Sequence, residues 1–335
     1  MVGSLPHQNV HEALSLVHRY LPDIPAWPQL PRRSFMENMY VQFSQKFPSI
    51  QIEGERIYVD RERDFDEELE SLYLAYLNNS FHLWEVTPEY AQGLHSFLNG
   101  DIGEAVAVKG QVTGPISWGL SVTDQDRRPI LYDDILGDAI AKHLRLKASW
   151  QERRLRVLSP RTIVFVDEPF MSAFGSAFVS LSREQVISQL EEVFQGITGL
   201  TGIHCCANTD WSVLLATSVD VLNLDAYGYA HSLSLYPEEV AAFLKRGGII
   251  AWGIVPNDEE ALAHEGVASL VSRLEEAVDA LVRKGVDEDL LWQRCLITPS
   301  CGLGGLPIAA AERVLELTQG VSQELQRRYV KDAQK

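Results

Sequence analysis

Short apolar runs alternate along the chain with longer stretches in which apolar residues recur three and four positions apart. The short runs predict buried strands, and the longer stretches predict amphipathic helices. The predicted strands are residues 2–4, 24–27, 105–110, 162–166, 202–204, 219–224, 248–252 and 295–298. The predicted helices are residues 185–197, 238–245, 259–284 and 309–324.

Alternation of strands and helices at this period predicts parallel β-α units. Eight such units predict an α/β fold of the (β/α)₈ TIM-barrel type, and a six-stranded doubly wound sheet is the alternative. Residues 51–59 alternate around a Glu-Gly turn, which predicts a β-hairpin inserted between barrel units. Residues 182–185 and 257–260 have capping-box spacing at helix starts. We expect residues 1–335 to form one catalytic barrel domain.

Composition narrows the class of protein. The net charge of −17 argues against nucleic acid as a partner, because phosphate binding favours a basic surface. No apolar run approaches the roughly 18 residues that a membrane helix needs. The first residues lack the apolar segment of a targeting peptide. We therefore expect a soluble, cytoplasmic protein that binds neither nucleic acid nor membrane.

Polar residues collect where the predicted strands end, which is the catalytic face of such barrels. His204 and Cys206 are two apart on a strand, so both can face one ion, and Cys301 follows the last strand. This Cys₂His set predicts a zinc site with a fourth position open to substrate. Asp225 follows the next strand and either completes the zinc shell or orients His204 or water. Cys205 is expected to be a core thiol, as is the remaining cysteine at position 295.

Two further segments end predicted strands. Asp167 and Glu168 are adjacent, so one should face the barrel mouth and the other turn away. We expect a carboxylate here to recognise a cationic group such as an α-ammonium, the alternative being simple solvation. The segment from Lys109 to Pro115 lacks the spacing of a phosphate loop.

These motifs resemble the catalytic C-terminal half of cobalamin-independent methionine synthase. The matching runs are GSLPH at 3–7, KGQVTGP at 109–115, VDEP at 166–169, HCC at 204–206 and PSCGL at 299–303. They occur in the family's order and span nearly the whole chain. The wider superfamily, which includes uroporphyrinogen decarboxylase and the coenzyme M methyltransferases, has (β/α)₈ barrels.

The resemblance implies roles for particular residues. The implied zinc ligands are His204, Cys206 and Cys301, with Asp225 at the position of the family's fourth ligand, a glutamate. The implied homocysteine-binding residues are Gly3, Ser4, Glu37 and Asp167, and Asp167 is also the implied catalytic residue.

The chain departs from the long family members in having no second barrel and no histidine after the seventh predicted strand, where it has WGIVP at 252–256. Short chains of this kind are similar to "core" methionine synthases, whose implied methyl donor is a corrinoid. The sequence therefore predicts a zinc-dependent methyltransferase that converts homocysteine to methionine, with methylcobalamin or a corrinoid protein as donor. The alternatives are a corrinoid-dependent enzyme for another thiol such as coenzyme M, and an enzyme of the uroporphyrinogen decarboxylase type.

Overall fold

The computed structural model describes residues 1–176 and 179–330, so the last five residues of the predicted domain lie outside the described part. The described residues include nine strands: β1 Ile50–Glu53, β2 Arg56–Val59, β3 Val108–Thr113, β4 Thr123–Asp124, β5 Thr162–Asp167, β6 Leu200–Cys205, β7 Val221–Leu224, β8 Ile249–Val255 and β9 Cys295–Pro299.

Fourteen α-helices are found in the same ranges: α1 Val10–Tyr20, α2 Met39–Gln42, α3 Asp66–Leu77, α4 Gln92–Leu98, α5 Pro115–Ser121, α6 Asp134–Leu155, α7 Arg183–Phe194, α8 Trp211–Leu215, α9 Ala226–Leu233, α10 Pro237–Lys245, α11 Glu259–His264, α12 Val267–Val282, α13 Glu288–Gln293 and α14 Ile308–Tyr329. Short 3-10 helices cover Phe35–Glu37, Phe81–Leu83, Ile130–Tyr132 and Pro169–Ala173.

Six parallel strands form one curled sheet in the order β3-β5-β6-β7-β8-β9, consistent with a TIM-type barrel. The spatial order follows the chain order without reversal. A doubly wound sheet needs a point where the strand order reverses, so that alternative is wrong. The crossover connections place helices outside the sheet and leave its inner face to the strands.

The two predicted N-terminal strands are present only as isolated bridges, between Ser4 and Gln29 and between Ala26 and Lys109. The second segment contains prolines at positions 25 and 28, which have no N–H to donate to a ladder. The first segment nevertheless meets the loop after β9, because the Leu303 N–H donates to the Ser4 carbonyl at 2.9 Å. The N-terminal segment and the end of the last strand are therefore joined at the carboxyl face.

The predicted hairpin is confirmed. Strands β1 and β2 pair antiparallel, and Gly54 provides the positive φ of 59° at the turn. Strand β4 adds to β2 in parallel, which makes a separate three-stranded sheet.

The four predicted helices correspond to α7, α10, α11 with α12, and α14. The stretch 259–284 is broken at Gly266, whose φ of −137° and ψ of 174° are extended. The capping box at Ser182 and Gln185 is confirmed. The one expected at residues 257–260 is wrong by a residue, since the Asp258 side chain accepts from the Ala261 N–H and caps α11. No described helix is long and apolar enough to cross a membrane.

The inner face of the curled sheet changes character from one end of the strands to the other. Toward the amino ends a small apolar cluster fills it, made of Ala107, Ile163, Phe165, Val221 and Ala251. Toward the carboxyl ends the inward positions carry polar side chains. Because inward positions are two residues apart, Phe165 is followed by Asp167 on the same face. The polar layer is where the candidate site lies.

Candidate metal centre

Three soft or nitrogen ligands converge at the carboxyl ends of β6 and β9. The ligand atoms of His204, Cys206 and Cys301 all lie within 4.8 Å of one another. His204 is the inward residue before the end of β6, Cys206 follows that strand directly, and Cys301 is two residues beyond β9. The structure thus brings together the three residues that the sequence pairs with zinc.

The loop that carries Cys301 is tied to the N-terminal segment. Ser4 Oγ accepts from the Gly304 N–H at 3.1 Å, and the Ser4 carbonyl accepts from Leu303. A Cβ on Gly302 would lie 2.3 Å from Ser4 Oγ, so only glycine allows this close approach. These contacts fix the position of the Cys301 loop relative to the N-terminal segment.

His204 is buried, with 3% of its surface exposed. Its Nδ1 lies 2.6 Å from Asn223 Oδ1, while its Nε2 has no hydrogen-bond partner. Burial lowers the pKa of His204, but the adjacent Cys206 side chain and the charge of Asp167 outweigh it, so the pKa of His204 is raised. A buried nitrogen without a partner, in a group with two thiols, is available to bind an ion.

The two thiols are linked to each other. A hydrogen bond from Cys301 holds the pKa of Cys206 well below its usual range, although burial acts in the opposite direction. The same bond and burial raise the pKa of Cys301. Cys206 thus has the lower pKa of the pair. Two cysteine sulfurs, which bind zinc as thiolates, and an imidazole nitrogen are donors that zinc prefers, so the residues present fit a zinc ion.

The other two cysteines lie apart from this group. Burial raises the pKa of Cys205 to about 12, and its Sγ contacts the Ala207 carbonyl at 3.4 Å. Burial likewise raises the pKa of Cys295 to about 12. Both thiols are protonated at neutral pH, in keeping with the expected core role.

Asp167 ends β5 and is paired in register with His204. It is 5% exposed, and its Oδ1 has no hydrogen-bond partner. Burial raises the pKa of Asp167, while the positive charges of Lys109 and His204 oppose the shift. A buried carboxylate oxygen without a donor can accept one from a cationic ligand at little further cost.

Glu168, the next residue, is engaged on the other side of the strand. Its carboxylate accepts from the backbone N–H of Ile116 at 2.9 Å, and from the N–H and Oγ of Ser117 at 2.7 and 2.6 Å. These groups lie in the first turn of α5, so Glu168 fixes that helix to β5. Burial raises the pKa of Glu168 to about 7 despite these bonds. The expectation that the two carboxylates face opposite ways agrees with these contacts.

Asp225 follows β7 and serves as N-cap of α9, accepting from the Gly228 N–H at 2.8 Å. Its carboxylate is outside the group of three ligand atoms. Burial raises the pKa of Asp225. The charge of Cys206 raises it further, and the charge of His204 lowers it. A ligand role for Asp225 stays a prediction, and the cap is the contact it makes.

The remaining predicted substrate residues lie in two places. Gly3 directly precedes Ser4 in the N-terminal segment. A Cβ added at Gly3 would lie 2.4 Å from Gln29 Oε1. Glu37 is 1% exposed and pairs with Arg33 at 2.5 Å, and burial raises its pKa. Glu37 also interacts with the backbone of Leu30 and Gln92. The group of three ligand atoms does not include it. Its substrate role stays a prediction.

Sequence reasoning missed Asn223 and Tyr40. Asn223 is the one polar side chain on the inward face of the otherwise apolar β7, and that polarity was the available signal. Tyr40 lies in α2, and burial raises its pKa, with further increases from the charges of Cys206 and Asp167. Its ring contacts Phe170 with centroids 6.4 Å apart. No spacing in the sequence marks Tyr40.

A cavity of about 320 Å³ lies at the opposite end of the strands from Cys206 and Cys301. Lys109, Phe165 and Leu296 line it, together with Asn223 and Thr298 at its inner end. The Lys109 Nζ donates to the Val2 carbonyl at 2.5 Å and lies 4.6 Å from the centre of the Phe165 ring. Asn223 and Thr298 therefore form the floor that separates this cavity from His204.

No protein-family model matches the sequence, and no curated protein matches it. Solved structures do match. A B12-independent methionine synthase from Shewanella sp. W3-18-1 superposes with a TM-score of 0.57 at 14% identity, over 96% of this chain and 89% of that one. A methyltransferase from Methanosarcina mazei gives a TM-score of 0.57 at 12% identity, over 97% and 87%. The chain thus matches a B12-independent methionine synthase and a methyltransferase in fold over nearly its full length.

Proposed function

We propose that this protein is a zinc-dependent methyltransferase that methylates the thiol of homocysteine to give methionine. The observation that carries the proposal is the convergence of His204, Cys206 and Cys301 beside the unsatisfied carboxylate of Asp167. The candidate metal site could bind the thiol of a substrate, and the Asp167 carboxylate could bind its ammonium group. The two lie close together, so the pair fits a substrate that carries both an amine and a thiol. On this proposal residues 1–335 act as one catalytic barrel domain in the cytoplasm.

Zinc held by two cysteines and one histidine would leave a fourth position for a substrate thiol and lower the pKa of that thiol. The residues of the chain supply binding and orientation. His204 and Cys206 are held by β6 and Cys301 by the loop on Ser4, so the donors are fixed before substrate arrives. Such pre-organisation reduces the entropic cost of reaching the geometry for attack.

Asp167 is the proposed catalytic residue that binds the α-ammonium of homocysteine. The unpartnered Oδ1 and the register with His204 support this assignment. Gly3 and Ser4 are proposed to bind the amino-acid backbone of the substrate, since Ser4 contacts the Cys301 loop. Glu37 is proposed as a further substrate residue, and Asp225 as a fourth protein ligand when substrate is absent.

The structural matches support the acceptor class. The Shewanella methionine synthase is described in complex with selenomethionine, and the Methanosarcina protein is described as a methyltransferase. At 12–14% identity, these matches are evidence for the fold alone. The proposed substrate is inferred from the chemistry of the site.

The buried carboxylate favours homocysteine over coenzyme M. The sulfonate of coenzyme M is anionic and would lie against Asp167, where like charges repel in a medium of low dielectric constant. A uroporphyrinogen-type decarboxylase needs arginines to hold several carboxylates, and β3 and β5–β9 contain no arginine.

The proposed methyl donor is methylcobalamin or a corrinoid protein. Transfer from methyltetrahydrofolate expels an amine nitrogen and needs a positioned acid, whereas transfer from methylcobalamin expels cob(I)alamin without a proton. The segment after Trp252 in β8 has glycine, isoleucine, valine and proline instead of a histidine. The lack of a histidine in that segment supports the proposed corrinoid donor.

Single-turnover methylation tests the proposal. Purified zinc-loaded protein is mixed with homocysteine and methylcobalamin and, separately, with methyltetrahydrofolate. Methionine from the first mixture and little from the second is the expected result. Coenzyme M replaces homocysteine in a third mixture. Methylation of coenzyme M alone would contradict the acceptor, and efficient folate turnover without corrinoid would contradict the donor.

A further inference from the structure

The ring of His204 is hydrogen-bonded to Asn223, which is itself held by two further hydrogen bonds. Asn223 Oδ1 lies 2.6 Å from His204 Nδ1, and Asn223 Nδ2 donates to the Ala251 carbonyl at 2.7 Å and to Thr298 Oγ1 at 2.8 Å. Thr298 Oγ1 in turn donates to the Pro299 carbonyl at 2.9 Å. Asn223 is 1% exposed, so water cannot replace these bonds without entering the barrel.

These contacts determine which nitrogen of His204 carries the proton. A backbone carbonyl only accepts, so the atom of Asn223 that faces Ala251 must be the amide nitrogen. The oxygen of Asn223 then faces His204, and an oxygen without a proton requires a donor from Nδ1. With the proton on Nδ1, the lone pair of a neutral imidazole is on Nε2. That nitrogen is the one without a partner beside Cys206.

We propose that Asn223 is a positioning residue that holds His204 in the Nδ1–H tautomer and thereby presents Nε2 to the metal. This inference rests on the proposed zinc site and adds a residue that acts through His204. Metal-bound histidines usually donate the other N–H to a carboxylate, a backbone carbonyl or water. Here the acceptor is a neutral carboxamide that is itself clamped at two points, on Ala251 and Thr298.

Removal of the Asn223 side chain would change the protonation of His204. Without the Asn223 oxygen as acceptor, a buried Nδ1–H would be unsatisfied, which is unfavourable. A neutral ring would then place its proton on Nε2, next to the thiols, and that proton would have to leave before an ion could bind. Asn223 therefore acts on metal affinity through the tautomer and contacts neither thiol nor metal.

The tautomer is measured in the metal-free protein by ¹⁵N NMR of labelled histidines at alkaline pH, where the ring is neutral. The His204→Gln variant identifies the signal. We expect Nδ1–H in the wild type, and a shift toward Nε2–H in Asn223→Leu, which has a similar size but no acceptor. Asn223→Asp keeps both the shape and an acceptor oxygen and should therefore keep Nδ1–H.

Zinc affinity is measured in parallel by competition with a chromophoric chelator. Asn223→Leu is expected to bind zinc about 10–100-fold more weakly than the wild type. Thr298→Val is the matched control, because it removes one bond to the amide nitrogen and leaves the acceptor for His204 in place, and its affinity should change by less than about threefold.

An unchanged tautomer in Asn223→Leu would overturn the inference, as would equal zinc affinity in Asn223→Leu and the wild type. If the wild type itself bound no zinc, the zinc site would fail, and the tautomer measurement on the metal-free protein would still decide the role of Asn223.

Discussion

Two buried histidines differ in their hydrogen bonding, one being fully bonded within the fold and the other a candidate metal ligand. His143 on α6 has both nitrogens engaged: the Trp84 indole N–H donates to Nδ1 at 2.9 Å, and Nε2 contacts the Phe43 carbonyl at 2.6 Å. His204 has one nitrogen engaged and the other without a partner. Both are buried to a similar extent, so burial alone does not distinguish them.

The same contrast recurs in the adjacent carboxylates after β5. Glu168 accepts three hydrogen bonds from the first turn of α5, while Asp167 retains an oxygen without a partner. A satisfied buried group stabilises the fold, and an unsatisfied one is costly unless a ligand satisfies it. The unsatisfied members of both pairs lie together at the metal centre.

The largest effect is expected from the ligands themselves. Cys206→Ser and Cys301→Ser each remove a soft donor and should reduce both zinc content and methyl transfer by at least about 100-fold. Metal content is measured by atomic absorption and activity by single-turnover methylation. Cys205→Ser is the control, since that thiol lies outside the group, and it should retain its zinc. Full zinc occupancy in both ligand variants would contradict the assignment.

The two histidines can be exchanged for leucine to test the comparison directly. His143→Leu leaves the Trp84 N–H and the Phe43 carbonyl unsatisfied and should lower the free energy of unfolding by about 2–4 kcal/mol while zinc stoichiometry stays at one. His204→Leu should abolish zinc binding and change the stability of the metal-free protein less. Urea denaturation and zinc titration are the measurements. Equal effects of the two substitutions on zinc would remove the distinction.

Substitutions at Asp167 and Glu168 should likewise separate an effect on activity from an effect on stability. Asp167→Asn removes the proposed partner of the substrate ammonium, so kcat/KM for homocysteine should fall about 10–100-fold with zinc content unchanged. Glu168→Gln weakens the attachment of α5 and should lower the melting temperature with a smaller change in homocysteine KM. Unchanged homocysteine kinetics in Asp167→Asn would remove its role.

The smallest expected effect, taken per pH unit, is the slope of stability against pH. Burial, with the nearby charge of Lys147, lowers the pKa of His143 from 6.5 to about 3 in the folded protein. Below pH 6.5 the unfolded chain binds a proton that the folded chain does not, so stability is lost as pH falls from 6.5 toward 3, by up to about 1.4 kcal/mol per unit.

Burial also lowers the pKa of Lys147 from 10.5 to about 7, so the loss of stability from that group runs between pH 10.5 and 7. The two groups therefore act in different windows. Urea denaturation of the metal-free protein at a series of pH values measures both. A His143→Gln variant cannot titrate at this position and should lose the slope below pH 6.5 alone. An equal slope in the variant would assign it to another group.

The three candidate metal ligands could be predicted because side chains two residues apart on a strand point to the same face. The spacing of two between His204 and Cys206 fixes a common face, and strand ends in a parallel sheet share one edge, which brings in Cys301. The sequence did not predict Asn223, because its run 219–224 was interpreted as apolar throughout. Its hydrogen bonds reach across β8 and β9, and pairing at that range depends on register.

The N-terminal strands and the division between α11 and α12 were less predictable for different reasons. An apolar run such as 24–27 predicts burial, but prolines decide whether a ladder can form. Helical periodicity continues across Gly266, so only the backbone of that residue shows the break. The prolines therefore decided the first case, and the extended backbone at Gly266 decided the second.

The bond between Ser4 and Gly304 joins residues 300 positions apart. During synthesis the His204–Cys206 pair is complete well before Cys301 leaves the ribosome, so the third donor arrives only when almost the whole chain has been made. The centre is thus a late event in folding, and contacts of such sequence separation form slowly. An ion bound there would link the last loop to a strand in the middle of the chain and retard its opening. Protection of the loop against proteolysis would then report on metal loading without any assay of the reaction.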